Sequence, residues 1–209
     1  IRLNTEATKD SIAALDADAI LVATGARYSR TGASKHQLPG VPGANLAHVL
    51  TPEDILLDHA RLGDRILIYD NTSYEVGPGI AEYLADKGKD VTFVTIDSAM
   101  AMSVTELGLN KVIARRVRPK VTFFPSTAIA GIDPADVRLR DIHTGAKTLL
   151  TAINNIVLVT SKPPEEGLYH ALISGGIDAR IIGDAREARW SVFATDEAIK
   201  DGRRAGLAV

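Results

Sequence analysis

An apolar run that ends in a glycine turn is the feature of this chain best suited to chemistry. Residues 19–23 are apolar, and Thr24-Gly25-Ala26 follows them directly. The pattern predicts a buried parallel strand that opens into a tight turn, which glycine makes more readily than other residues. Open α/β sheets bind ligands at this edge, so we expect Ala23 and the turn to line a cofactor site. A turn at the end of a strand, without a ligand, is the alternative.

A second strand–turn–helix unit, at residues 65–95, lies where a dinucleotide fingerprint should lie. Such a fingerprint reads G-x-G-x-x-G and lets the backbone approach a pyrophosphate. Aligned on the helix that follows, its three glycine positions are held by Thr72, Tyr74 and Gly77. A tyrosine would stand where bare backbone meets phosphate, and the Asp70 carboxylate would repel an anion at the helix N-terminus. NAD(P) binding is therefore doubtful here.

The retained glycine admits a simpler interpretation, which we prefer. Gly77 and Gly79 are accounted for by packing at the start of a helix. A loop that holds a nucleotide in a different pose is the alternative. Asp97, just after the next strand, lies where an acidic residue would meet a ribose hydroxyl, but an exposed aspartate in a turn explains it equally well.

The remaining candidates for catalysis or metal binding show no recognisable pattern. None of the five histidines has metal-ligand spacing such as H-E-x-x-H. Ser73 and Ser103 lack the G-x-S-x-G context of a nucleophile. With no cysteine, the chain can hold no disulfide, thiolate nucleophile or cysteine-ligated cluster. We therefore predict no catalytic residue and no metal site.

Composition excludes some function classes and favours an α/β fold. Of the 209 residues, 45% are hydrophobic and 24% are charged, with a net charge of -2. Neither a nucleic-acid partner nor a membrane partner is expected from this balance, and the lack of cysteine fits a cytoplasmic location. Apolar runs alternate with helical periodicity, which predicts Rossmann-like parallel sheets covered by helices.

A repeat in the pattern predicts two nested domains. Residues 17–26 and 154–162 share a polar start, a β-branched run and a threonine before a small residue or turn. We predict that residues 1–44 and 161–209 form a partial outer domain, truncated at its N-terminus, with residues 45–160 inserted in it. Strands are expected at residues 1–5, 19–23, 66–69, 90–95, 121–124, 137–142, 153–160 and 179–183, and helices at residues 52–60, 78–87, 104–118, 166–174 and 194–207.

Three segments resemble the nucleotide-binding region of a known enzyme family. They are residues 19–27 with 38–44, residues 80–92, and residues 182–186 with 198–202. In this order they cover essentially the whole chain. They are similar to the C-terminal region of the trimethylamine dehydrogenase and 2,4-dienoyl-CoA reductase family, which are old yellow enzyme-like NADH:flavin oxidoreductases.

The resemblance implies cofactors and partners. In the parent protein, an N-terminal TIM barrel with FMN and an iron–sulfur cluster would precede this region and be its partner. The outer domain would bind FAD or ADP, weakly in this chain alone because its first βαβ unit would be missing. The inserted domain would be NAD(P)-type with a degraded fingerprint. An electron-transfer partner and a homo-oligomeric parent are also implied.

The resemblance also places candidate site residues. The turn at residues 24–26 would lie against the outer nucleotide. Gly183-Asp184-Ala185 resembles the second FAD motif of the family, whose aspartate accepts a hydrogen bond from a ribityl or ribose hydroxyl. A helix-capping aspartate at a strand end is the other interpretation. Three large side chains follow and could bind a phosphate or an adenine or belong to an interface: Arg186, Arg189 and Trp190.

These features together predict a fragment of a flavin-dependent amine or N-methyl amine dehydrogenase or demethylase. The fragment would contribute nucleotide binding or structural support and would not be catalytic by itself. The loss of glycines at Thr72 and Tyr74 resembles the amine dehydrogenase branch. Two alternatives remain open: an NAD(P)H-dependent dienoyl-CoA or enoate reductase, and a non-catalytic docking domain for an electron acceptor or a subunit.

Overall fold

Helices alternate with short strands along most of the chain. The computed structural model describes residues 1–188 and 191–207. Its helices are α1 (Lys9–Ala13), α2 (Pro52–Leu56), α3 (Val76–Asp86), α4 (Leu109–Val117), α5 (Gly167–Ser174) and α6 (Ser191–Leu207). Its strands are β1 (Leu21–Val22), β2 (Val49–Leu50), β3 (Arg65–Asp70), β4 (Asp90–Thr95), β5 (Thr122–Phe124), β6 (Thr127–Ile132), β7 (Val137–Asp141), β8 (Lys147–Leu150), β9 (Asn155–Val159) and β10 (Arg180–Ile181).

The elements fall into two units, and each is described by itself. Unit 1 comprises residues 1–27 and the described part of residues 162–209, and unit 2 comprises residues 28–161. Among the described residues, no helix is both long enough and apolar enough to cross a membrane.

A five-stranded parallel sheet forms the middle of unit 2. Its strand order is β2-β9-β3-β4-β5. Every residue of β9 is buried, as are all residues of β3 after Arg65, because both faces of the sheet are covered. One face packs against α2, α3 and α4 and the other against a second, smaller sheet. Continuous apolar runs are the usual sequence signature of such strands, and the predictions of β3, β4 and β9 are confirmed.

The smaller sheet of unit 2 was not predicted in full. It is an antiparallel meander with the order β6-β7-β8, of which only β7 was expected from the sequence. β6 contains two alanines and a glycine, residues with low strand propensity, and its register shifts between Ile129 and Gly131. Three residues of β8 are exposed. Pairing with β7, rather than the local sequence, stabilises both strands.

The first domain boundary lies earlier than residue 44. Residues 28–44 belong to unit 2, because Val41 and Ala44 are buried in its core beside Ile132. The backbone N–H of Ile132 also donates a hydrogen bond to the carbonyl of Pro42 at 2.8 Å. The apparent linker is therefore a packed loop of the larger unit, held by contacts that its Pro- and Gly-rich sequence does not reveal.

Unit 1 has a small core around two parallel strands. Strand β1 pairs with β10, with Leu21 opposite Arg180 and Val22 opposite Ile181. Helix α1, which was not predicted, begins after Thr8, whose hydroxyl accepts a hydrogen bond from the Ser11 N–H at 3.2 Å. The strand predicted at residues 1–5 is wrong: these residues are exposed, and no described segment pairs with them.

We predict that Gly43→Ala destabilises the chain by about 3 kcal/mol, from backbone strain plus overpacking. Gly43 has φ +88°, and a Cβ added to it would lie 2.1 Å from the Ile132 carbonyl oxygen. Gly145 is the matched control, since it has φ +74° with no atom within 4 Å of its added Cβ. Gly145→Ala should cost only about 1 kcal/mol, for the strain alone. Urea unfolding followed by circular dichroism measures both, and equal losses would contradict this account of Gly43.

Candidate functional site

Two glycine turns lie at the carboxyl ends of the paired strands of unit 1. Gly25 follows β1 with φ +80°, and Gly183 follows β10 with φ +62°. No atom lies within 4 Å of a Cβ added at either glycine. Both turns are therefore open on the side where a side chain would project, so a ligand can approach the backbone there. Both glycines have the positive φ expected at these positions, and the binding of a cofactor beside them stays a prediction.

Asp184 presents one buried carboxylate oxygen that is not used within the described residues. Its Oδ2 lies 3.3 Å from the Lys162 ammonium nitrogen. Its Oδ1 is buried and has no hydrogen-bond partner among the described residues. A buried acceptor without a donor is costly, so this oxygen is suited to accept a hydrogen bond from a ligand hydroxyl.

Residues 24–26, around Gly25, form hydrogen bonds and a β-bridge with residues 163–165. The Thr24 hydroxyl donates a hydrogen bond to the Glu165 carbonyl, and the Glu165 N–H donates to the Gly25 carbonyl at 2.9 Å. Ala26 forms a bridge with Pro164. These bonds hold the turn in place and occupy the hydroxyl hydrogen of Thr24. Ala23 precedes the turn and is exposed.

The second turn continues into a short 3₁₀ helix at Gly183–Ala185. Ala185 is fully buried and anchors this helix, and the side chain of Arg186 is exposed. Arg189 and Trp190, which were expected to bind a phosphate or an adenine or to belong to an interface, lie outside the described residues.

In unit 2, a buried carboxylate occupies the loop where a dinucleotide fingerprint would lie. Asp70 ends β3 and is 1% exposed. Its Oδ1 accepts hydrogen bonds from the Thr72 N–H and hydroxyl, both at 2.8 Å. A Cβ added at Gly77, in the first turn of α3, would lie 2.5 Å from Asp70 Oδ2. Gly77 is therefore needed so that helix α3 can pack against this carboxylate.

Other acidic side chains surround this carboxylate. Asp97 accepts a hydrogen bond from the Ser73 hydroxyl. Burial raises the pKa of Asp70 to about 6, against hydrogen bonds from Thr72 and Ser73, and Asp97 raises it further. Burial, together with Asp70, Glu53 and Glu75, raises the pKa of Tyr28 to about 12. This edge is thus electronegative and does not suit a pyrophosphate.

The described residues contain no group of three or more histidine or acidic side chains that could hold a metal ion. Tyr74 is half-buried in the loop before α3, and Thr72 is engaged with Asp70. Two residues that matter here were missed by sequence reasoning: Lys162, which pairs with Asp184, and Ser73, which bonds Asp97. A lysine or a serine in a loop gives no sequence signal of a partner that is distant along the chain.

Comparison with known proteins identifies the relatives of this chain. It is 30% identical over 217 residues to dimethylamine dehydrogenase of Hyphomicrobium sp. (strain x), which covers 90% of this chain and 29% of that enzyme. The 6-hydroxypseudooxynicotine amine oxidase of Pseudomonas geniculata N1 superposes with a TM-score of 0.87 at 33% identity, covering 98% of this chain and 31% of that one. The chain is homologous to a region of the trimethylamine dehydrogenase family.

This homology confirms the resemblance described from the sequence. Histamine dehydrogenase from Rhizobium sp. 4-9 shares the Rossmann-like fold with a TM-score of 0.89 at 22% identity, covering 96% of this chain and 32% of that chain. No protein-family model matches the sequence. The chain thus spans about 30% of the length of each of these three proteins.

The buried acid generates a prediction for the pH dependence of stability. Because the pKa of Asp70 is raised from 3.8 to about 6, the folded protein holds its proton where the unfolded chain has lost it. The free energy of unfolding should therefore fall as pH rises from about 4 to about 6. Asp70→Asn, which carries no charge, should be more stable than wild type at pH 7.5 by about 1–3 kcal/mol, and equal to it near pH 4.

Urea unfolding at several pH values measures this difference. Asp64→Asn is the control, because Asp64 is exposed on the surface beside Lys89. It should change stability by less than about 1 kcal/mol at any pH. If Asp70→Asn is less stable than wild type at pH 7.5, the carboxylate contributes favourable interactions that exceed its burial cost, and the prediction is wrong.

Proposed function

We propose that this chain is the nucleotide-binding scaffold of a flavin-dependent amine or N-methyl amine dehydrogenase. The homology to amine dehydrogenases supports the enzyme class. The unpartnered Oδ1 of Asp184, at the open turn of Gly183, is the observation that supports the site. In this proposal the parent oxidises its amine at a flavin in another part of the protein, and unit 1 binds FAD or ADP.

The residues of unit 1 fit the sugar-and-phosphate part of such a nucleotide. Asp184 would accept a hydrogen bond from a ribose or ribityl hydroxyl through Oδ1, while its Oδ2 pairs with the Lys162 ammonium. The turns at Gly25 and Gly183 would let the ligand approach the backbone. Ala185 would fix the second turn by its burial, and residues 23–26 would line the first. The bound flavin, not this chain, would supply the redox chemistry.

Unit 2 would support the assembly without binding NAD(P). The Asp70 carboxylate already lies against the first turn of α3, where a phosphate would have to bind. The degraded positions at Thr72 and Tyr74 are consistent with this. FMN, an iron–sulfur cluster and a TIM barrel would belong to the rest of the parent, together with any electron-transfer partner and the oligomer contacts. A cytoplasmic location also stays a prediction.

The test is ligand-observed NMR of this chain with ADP, FAD and NADH. We expect weak, saturable binding of ADP and FAD, with a Kd on the order of 1 mM or about -4 kcal/mol, and no binding of NADH. Asp184→Ala should abolish most of the ADP signal. Asp178→Ala, which removes another acid of unit 1, should leave it unchanged. Tight NADH binding would favour the reductase alternative, and binding of none of the three would favour the docking-domain alternative.

A further inference from the structure

A cleft on the meander side of unit 2 has the features of a small-molecule site. It has a volume of about 560 Å³, within the usual range for ligand sites. One wall is the loop at residues 36–42, another is formed by β6 and β7, and Tyr69 of β3 and Ile96 after β4 complete it. It lies apart from Asp70, whose side chain contacts α3, because successive residues of a strand point to opposite faces.

About half of the surface that lines this cleft is apolar. Ile96, Ile129 and Ile142 line it together with Pro39 and Pro42. Ile129 is 1% exposed, whereas Ile142 is 41% exposed, so the apolar surface extends from the core of unit 2 to the rim. Apolar side chains of this kind can pack against the face of a ring.

A hydrogen-bonded pair of side chains provides a polar floor. The Tyr69 hydroxyl donates to Gln37 Oε1 at 3.1 Å, and Gln37 Nε2 donates to the Ile129 carbonyl at 3.1 Å. Tyr69 is fully buried. The two hydrogen bonds fix the orientation of the Gln37 side-chain amide. Its second N–H and a second lone pair on its oxygen remain available to a ligand. The cleft therefore combines apolar wall positions with oriented polar groups, as ligand sites commonly do.

A cationic side chain at the cleft favours an anion. Arg140 and His36 line it, and no carboxylate does. Arg140 is exposed and makes no ion pair within the described residues, whereas Arg138 of the same strand pairs with Asp133. Lys147 lies opposite Arg140 in the β7–β8 register and adds positive charge to the same part of the sheet. A guanidinium is well suited to bind a carboxylate or a phosphate through two hydrogen bonds.

We propose that this cleft binds a small molecule that carries a flat apolar ring and one anionic group, a carboxylate or a phosphate. The ring would pack against Ile129 and Ile142, and the anion would bind Arg140. This site does not depend on the nucleotide proposed for unit 1, and it needs no glycine-rich loop.

Binding of indole compounds to the whole 209-residue chain tests the proposal. The same flat indole ring can carry a carboxylate, a phosphate or a neutral amide, so the compounds differ mainly in the polar group. Indole-3-acetate and 3-indolyl phosphate supply the two anions, and indole-3-acetamide is the neutral comparison. We expect at least one anion to bind to the wild type at least fivefold more tightly than the amide, by ligand-observed NMR. The tighter of the two anions identifies the natural anionic group.

Three variants locate the site. Arg140→Gln should bring the affinity for the anion to within twofold of that for the amide. Arg138→Gln, with the same charge change on the same strand, should preserve the fivefold preference. Ile142→Ser, at an exposed wall position, should weaken the anion and the amide alike. Circular dichroism confirms that each variant is folded.

Three results would overturn the proposal. The first is that neither anion binds saturably to the wild type. The second is that the anions bind no more tightly than the amide. The third is that Arg138→Gln and Arg140→Gln weaken binding equally, which would indicate attraction to surface charge without a defined site.

Discussion

The parallel pairing of β3 with β9 is the constraint on which the rest of unit 2 depends. It joins residues that are far apart along the unit, with Ile66 opposite Asn155. The Asn154 side chain supports this register. Its Oδ1 accepts hydrogen bonds from the backbone N–H groups of Asp64 and Arg65, at 3.0 and 2.9 Å. These bonds satisfy backbone donors at the start of β3.

Several features of unit 2 follow from this register. It places both faces of β3 and β9 in the core, and it brings their carboxyl ends together, where the Asn71 N–H donates to the Val159 carbonyl at 2.9 Å. The first and last residues of unit 2 also lie close together, since the Ser29 N–H donates a hydrogen bond to the Ser161 carbonyl at 2.9 Å. An insertion into another fold needs this closeness of its two ends, because the host chain must continue beside the point where it was interrupted.

The space beside the glycine that follows a parallel strand is open in unit 1 and filled in unit 2. In unit 1, the turns at Gly25 and Gly183 leave open space beside the backbone. In unit 2, a side chain of the protein fills the corresponding space: the Asp70 carboxylate bonds the loop and lies against Gly77. A glycine at a strand end can therefore have either of two roles. It leaves space for a ligand, or it leaves space for another part of the same chain, and only the surrounding atoms show which role applies.

Local pattern was sufficient for much of the fold. The continuous apolar runs of β3, β4 and β9 and the periodicity of α3 predicted these elements, because two-sided burial leaves a strong signal in sequence. The segments that carry the family resemblance were also readable, and the homology to amine dehydrogenases confirms that resemblance. The meander was mostly missed, since β6 and β8 are weak strand formers that depend on β7.

The sequence alone thus determined the order of the main elements, the enzyme family and the positions of the strand-end glycines. Tertiary structure decided what surrounds those glycines. It turned the Asp70 side chain towards Gly77, paired Lys162 with Asp184, packed residues 28–44 on unit 2 and assembled the cleft beside Arg140. The physical reason is that the last three arrangements join residues distant along the chain, and the first depends on the direction in which one side chain points, and neither leaves a periodic trace in the sequence.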